Sequence, residues 1–113
     1  MAWTLERYER DDGKSPVEEF INALPVKVRA RVRANLDHLC EVGNLASAPM
    51  SKPLGQGLFE LRVGVGHHEV RLLYTFFPGQ RIVILHGFLK KTRAVPAREL
   101  ETARARLREL QER

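Results

Sequence analysis

Apolar residues recur along the chain with two different periods, and the change from one to the other marks out its elements. Residues 58–93, LFELRVGVGHHEVRLLYTFFPGQRIVILHGFLKKTR, hold three runs rich in Leu, Ile, Val, Phe and Tyr. Short glycine-containing breaks at 64–68 and 78–80 separate them, which predicts a three-stranded antiparallel meander. At the second break Pro78 sets one turn dihedral and Gly79 permits a positive one, so the flanking runs fold back as a hairpin. Successive strand side chains point to opposite faces, so Phe59, Leu61 and Val63 oppose Leu58, Glu60 and Arg62. In the second strand Val70, Leu72, Tyr74 and Phe76 oppose Glu69, Arg71, Leu73 and Thr75. The third, 81–89, is apolar on both faces and reads as the central, doubly covered strand.

Upstream the pattern changes. Residues 2–8, AWTLERY, alternate and predict a short strand that joins the meander. After a turn at Asp11, Asp12 and Gly13, the run Ser15-Pro16-Val17-Glu18 has the form of a capping box. Val17, Phe20, Ile21 and Leu24 then fall on one helical face until Pro25. A second helix over 26–42 carries Val28, Val32, Leu36 and Leu39 at helical spacing, with Lys27, Arg29, Arg31 and Arg33 on the remaining surface. The pair forms a helical hairpin hinged at Pro25. Residues 44–57, which include Lys52, read as an irregular connection, and a last helix starts at Pro96 with Leu100, Ala103, Leu107 and Leu110 on one face. The expected fold is one α+β domain over 1–113, in the order strand-helix-helix-strand-strand-strand-helix. Its four-stranded twisted antiparallel sheet has the hairpin on one face and the last helix nearby.

Length allows one domain with its own core. No apolar run reaches the length of a membrane span, and the N-terminus is charged rather than an apolar signal core, so a soluble cytoplasmic protein is expected. A single cysteine, Cys40, excludes an internal disulfide and falls on the apolar side of the second helix, as a small buried hydrophobe does. The net charge of +5 is localised. Residues 81–113 carry nine Lys and Arg against four Asp and Glu, while the first 80 are balanced at ten and ten. A basic last third favours an anionic partner, or serves as a solubilising surface.

Metal-ligand spacings are missing from the sequence: His67 and His68 are adjacent and diverge on an extended segment, and no HxH, HExxH or CxxC occurs. No nucleotide-cradling loop, dinucleotide fingerprint or nucleophile elbow is present either. The remaining chemistry is a set of cations around the meander: Arg62, Arg71, Lys90, Lys91 and Arg93. A guanidinium on a strand, read here as partly exposed, holds a phosphate in a fixed direction; the alternative is that Arg62 and Arg71 pair with Glu60 or Glu69 across the sheet. Lys90, Lys91 and Arg93 precede a helix N-terminus, which also attracts anions. Among the imidazoles, His67 and His68 at the first turn are candidates for proton transfer. His86, facing the same way as Ile84 and Phe88, reads as a core histidine.

Taken together, LFELRV, EVRLLYTF and IVILHGFLKKTRAVPARELETARARL closely resemble the phage-derived HigB-like branch of the RelE superfamily of toxins. That pattern is Leu-aromatic-Glu-Leu-Arg in one strand, Arg-x-x-Tyr in the next, then Leu-His-Gly-Phe-x-Lys-Lys-Thr and a Pro before the last helix. The resemblance implies a RelE-like fold and the toxin of a bacterial type II toxin-antitoxin system. It further implies a metal-independent and cofactor-free endoribonuclease acting on mRNA at the ribosome, neutralised by a helix-turn-helix antitoxin. By position it implies catalytic roles for Arg71, Lys91 and Arg62, with Lys90 and Arg93 beside them on the RNA. The chain departs from RelE proper at Leu58 and Glu60, where RelE has lysines, and at Pro96 and Ala97, where RelE has a tyrosine nearby. Proton transfer then falls to His67, His68 or Glu60, or the rate rests on the cations alone. The alternative is a ParE-like inhibitor that acts by binding protein, or a catalytically decayed toxin. A DNA-binding regulator lacks the required helix pair with its short glycine turn.

Overall fold

The structure, a computed structural model, describes residues 3–113. Its strands are β1 (Thr4–Arg7), β2 (Ser51–Gly55), β3 (Leu58–Val65), β4 (His68–Phe77) and β5 (Arg81–Leu89), and its helices α1 (Pro16–Asn22), α2 (Val26–Val42) and α3 (Ala97–Glu112). Residue 2 of the predicted first strand lies outside the described residues. One sheet runs in the order β1-β5-β4-β3-β2. The fold is α+β as expected, with three corrections to the sheet.

First, there are five strands rather than four. The sequence SKPLG of β2 has no alternation to announce it; it becomes a strand because β3 offers an unpaired edge, and Pro53, which lacks an N–H, is tolerated on that edge. Second, the sheet is mixed: β1 runs parallel to β5, with Thr4 opposite Arg81 and Arg7 opposite Ile84. Alternation in a single strand carries no information on its direction. Third, β4 is the middle strand, because β2 and β1 extend the meander at opposite edges. The first meander turn is also tighter than the five-residue break suggests, Val65 pairing with His68 across Gly66 and His67.

Ser15 caps α1 as its sequence predicts, its hydroxyl accepting from the Glu18 N–H at 3.2 Å. The reciprocal half of the box is not formed; the Glu18 carboxylate instead bridges Arg7 and Arg33. Together α1 and α2 bury Val17, Ile21, Val28, Val32, Leu36 and Leu39 against Leu61, Val63, Val70, Leu72, Ile82 and Ile84 of the sheet. Cys40 is in this core, and burial pushes its thiol pKa up. Gly87 permits the close approach: a Cβ there would lie 2.5 Å from the Phe20 ring.

The other face takes α3, through Ala103 and Leu107 on Leu58, Leu73, Val83, Leu85 and Phe88. Each of the Leu, Val and Phe side chains contributes about 1.5–3 kcal/mol of burial. A register shift after Leu73 makes Leu85 an extra residue, since Leu73 pairs with His86 and Tyr74 with Ile84. This bulge reverses the expected placement of His86, which turns away from Ile84 and joins Phe88 beneath α3. There His86 Nε2 is 2.7 Å from a Glu99 carboxylate oxygen. Arg106 donates to the Leu85 carbonyl at 2.9 Å, lies 3.3 Å from His86 Nδ1 and stacks over the Tyr8 ring, while the Tyr8 hydroxyl donates to Glu109 at 2.9 Å. A polar seam therefore fastens α3 to β1 and β5.

Candidate functional site

Strand register decides which charged side chains meet. Glu60 stands opposite Leu73, which in turn faces His86; Arg62 is directly opposite Arg71, which faces Phe88; Gly64 is opposite Glu69. The next residue along, Lys90, donates its backbone N–H to the Glu69 carbonyl at 2.8 Å. From the edge strand, Lys52 pairs with Glu60. These rows belong to the face that α3 partly covers, so the cations predicted from separate stretches converge on the part of the sheet towards the β3–β4 turn.

The two arginines are held by carboxylates, the alternative weighed from the sequence. Glu60 is 1% exposed; one oxygen accepts from Arg62 Nε at 3.0 Å and the other lies 3.7 Å from Arg71 Nε. That second oxygen and Arg71 Nε have no hydrogen-bond partner among the described residues. A carboxylate this deep is tolerable only because two guanidinium groups flank it. Arg71 is buried, 9% exposed, rather than partly exposed as expected. Its place on the middle strand, between Arg62 and Phe88, closes it in. Its Nη1 donates to the Val70 carbonyl at 3.0 Å and its Nη2 to Glu69 at 3.1 Å. Arg62 differs. It is one third exposed, and only its Nε is engaged among the described residues, leaving the outer fork facing solvent.

The flanking groups are more open. Lys91 and Arg93 are exposed on the segment between β5 and α3, and Lys90 is half-buried. Pro96 at the start of α3 supplies no side-chain cap to the first helical N–H groups. His67 is exposed on the turn. His68, three residues from Arg71, belongs to the opposite face, its ring 4.3 Å from that of His67. The structure thus brings Arg62 and Arg71 together beside Lys90, with Lys91 and Arg93 beyond, and separates His68 from them.

Three neighbours were missed or undervalued from the sequence. Lys52 lies in a stretch without strand periodicity. Glu60 and Glu69 share parity with the arginines, a signal that was present, but their depths differ in a way alternation does not reveal: Glu69 is about half exposed where Glu60 is sealed. A cleft of about 1280 Å³ is at the other end of the sheet, lined by Leu5, Phe77, Arg81, Leu107 and Leu110, and holds none of the predicted site residues. The predicted cations gather instead where strand register opposes Arg62 to Arg71. A smaller groove of about 460 Å³ borders Lys52, Phe59 and Arg62. Among the described residues no group of three or more His, Cys, Asp or Glu is arranged to hold a metal ion, and no helix is long and apolar enough to cross a membrane.

Against known proteins, residues 19–108 match the sequence profile of the family described as Phage derived protein Gp49-like. No curated protein matches the chain in sequence. Among solved structures, a mutant of the E. coli toxin RelE in its free state superposes with a TM-score of 0.64 over 95% of this chain and 99% of that one, at 14% sequence identity. That likeness is one of fold.

Proposed function

The chain belongs to the phage-derived Gp49-like family and carries the fold of the RelE superfamily of toxins, and from that premise we propose that it is the toxin of a type II toxin-antitoxin pair. In this reading it is a metal-independent endoribonuclease that cuts mRNA on the ribosome in the cytoplasm and is neutralised by a helix-turn-helix antitoxin. The observation that carries the nuclease assignment is the directly opposed pair Arg62 and Arg71, with Lys90 at their side, on one sheet face. RNA cleavage by its own 2′-hydroxyl asks little covalent chemistry of a protein. It needs cations placed where negative charge builds on the phosphate, and a route for two protons.

Arg62, with its outer fork open, is the group that meets the scissile phosphate. Arg71 supports it from beneath and adds charge, and Lys90, Lys91 and Arg93 hold flanking phosphates. His67, exposed on the turn joining the arginine strands, is assigned the proton that the leaving 5′-oxygen requires; His68, on the opposite face, has no part. A second reading, a non-enzymatic ParE-like inhibitor, draws on one observation: the Arg71 guanidinium is already occupied by Glu69 and the adjoining backbone carbonyl.

Inducible expression distinguishes the two. Wild type should arrest growth with truncation of transcripts, and Arg62→Ala should relieve both while the protein still binds its antitoxin. Growth arrest with intact transcripts would favour the inhibitor.

A further inference from the structure

Among the described residues Glu60 is sealed between Arg62 and Arg71, 1% exposed and out of a substrate's reach. One carboxylate on that face is open. Glu69 is about half exposed, and its side chain leans over Gly64, where an added Cβ would come within 3.1 Å of its Oε2. The absence of a side chain at Gly64 keeps that space free. One Glu69 oxygen accepts from Arg71 Nη2 at 3.1 Å, and the Glu69 backbone carbonyl fixes the start of the Lys90-Lys91 segment.

We infer that Glu69 is the general base of this site, an assignment that rests on the nuclease reading above. A phosphate engaged by the open fork of Arg62 sits beside Glu69, whose carboxylate is bonded to the Arg71 guanidinium directly opposite Arg62, so the 2′-hydroxyl next to that phosphate comes within reach of Glu69. The step is balanced. The 2′-hydroxyl proton passes to a Glu69 oxygen, O2′ forms a bond to phosphorus, the P–O5′ bond breaks with its electron pair, and the 5′-oxygen is protonated by His67 or water. The products are a 2′,3′-cyclic phosphate and a 5′-hydroxyl.

The charged and titratable groups around Glu69 are Arg71 on its own strand, Arg62 and Glu60 on β3, Lys90 after β5, and His67 and His68 at the turn. Cations outnumber carboxylates among these neighbours.

Single-turnover cleavage of ribosome-bound mRNA across pH, comparing wild type with Glu69→Gln, tests the assignment. Glutamine keeps the size and can still accept from Arg71 but is not basic. Glu69→Gln should lower the rate about 100- to 10,000-fold, the usual contribution of a positioned base. RNA binding should be unchanged and the acid limb of the pH–rate profile should vanish. Unchanged activity overturns the assignment. So does a slowed variant that keeps the acid limb, because Glu69 would then only position Arg71. Should Glu69→Gln not fold, Glu69→Asp retains a base and must retain the acid limb; its loss would also count against the role. If wild type itself yields no cyclic phosphate, the nuclease reading falls first and this assignment with it.

Discussion

Glu60, Arg62 and Arg71 form a unit in which depth, more than charge, separates the roles. Both arginines were legible as candidates because each interrupts an apolar strand at the same parity. Their pairing with Glu60 was legible only as an alternative, since alternation tells which face a side chain takes and not how far α3 covers it. The structure changes the expected cost of mutation. Removing Arg71 leaves the sealed Glu60 with one partner, so Arg71→Ala should cost about 3–5 kcal/mol of stability, against about 1 kcal/mol had it been partly exposed. Arg62→Ala, one third exposed and with Arg71 still beside Glu60, should cost markedly less. Urea unfolding of the two variants checks the order; equal losses would mean Glu60 does not depend on Arg71. Arg62 is therefore the cleaner probe of function.

At the level of elements, α3 is joined to the sheet by titratable groups as well as by apolar contacts. Its hydrogen bond from Tyr8, with the ion pair to Arg113, holds Glu109 below the ordinary carboxylate range, and the Arg81 guanidinium of β5 does the same for Glu6 of β1. Burial, then the bond to Glu109, pushes the Tyr8 phenol up. A carboxylate with a depressed pKa contributes stability above its unfolded value of 4.5 and loses it as the pH falls through the folded value. A phenol with a raised pKa contributes below its unfolded value of 10.0 and loses it as the pH rises. The melting temperature should therefore drop below pH 4.5 and again above pH 10.0, with Glu6→Gln flattening the acid side. Melting curves across pH settle it; an acid side as steep in Glu6→Gln as in wild type would remove Glu6 from the account. Arg106 is the half-buried hub of this seam, its pKa lowered by desolvation. Arg106→Ala should cost about 1–3 kcal/mol because the Leu85 carbonyl loses its charged donor, and thermal unfolding measures that loss. The helices were readable because their apolar spacing and Ser15 cap are local signals. What escaped was β2 and the direction of β1, both set by which sheet edge is free, and the bulge at Leu85, which turned His86 beneath α3.

For the whole molecule, the basic last third is the property visible earliest, and the fold gives it a location: Lys90, Lys91 and Arg93 leave the sheet beside the opposed arginines. If these groups displace counterions from RNA, Lys91→Ala should weaken binding to unrelated sequences alike and reduce the salt slope of log affinity by about one unit. An unchanged slope would make Lys91 a solvated surface charge. In the proposed reading this cation face directs an RNA 2′-hydroxyl onto its neighbouring phosphate. The most direct test is the end chemistry of RNA cut by the purified protein with ribosomes, each fragment analysed by mass. The expected ends are 2′,3′-cyclic phosphate on one fragment and 5′-hydroxyl on the other, both lost with Arg62→Ala. Fragments ending in 3′-hydroxyl and 5′-phosphate, or cleavage undiminished in Arg62→Ala, would contradict that reading.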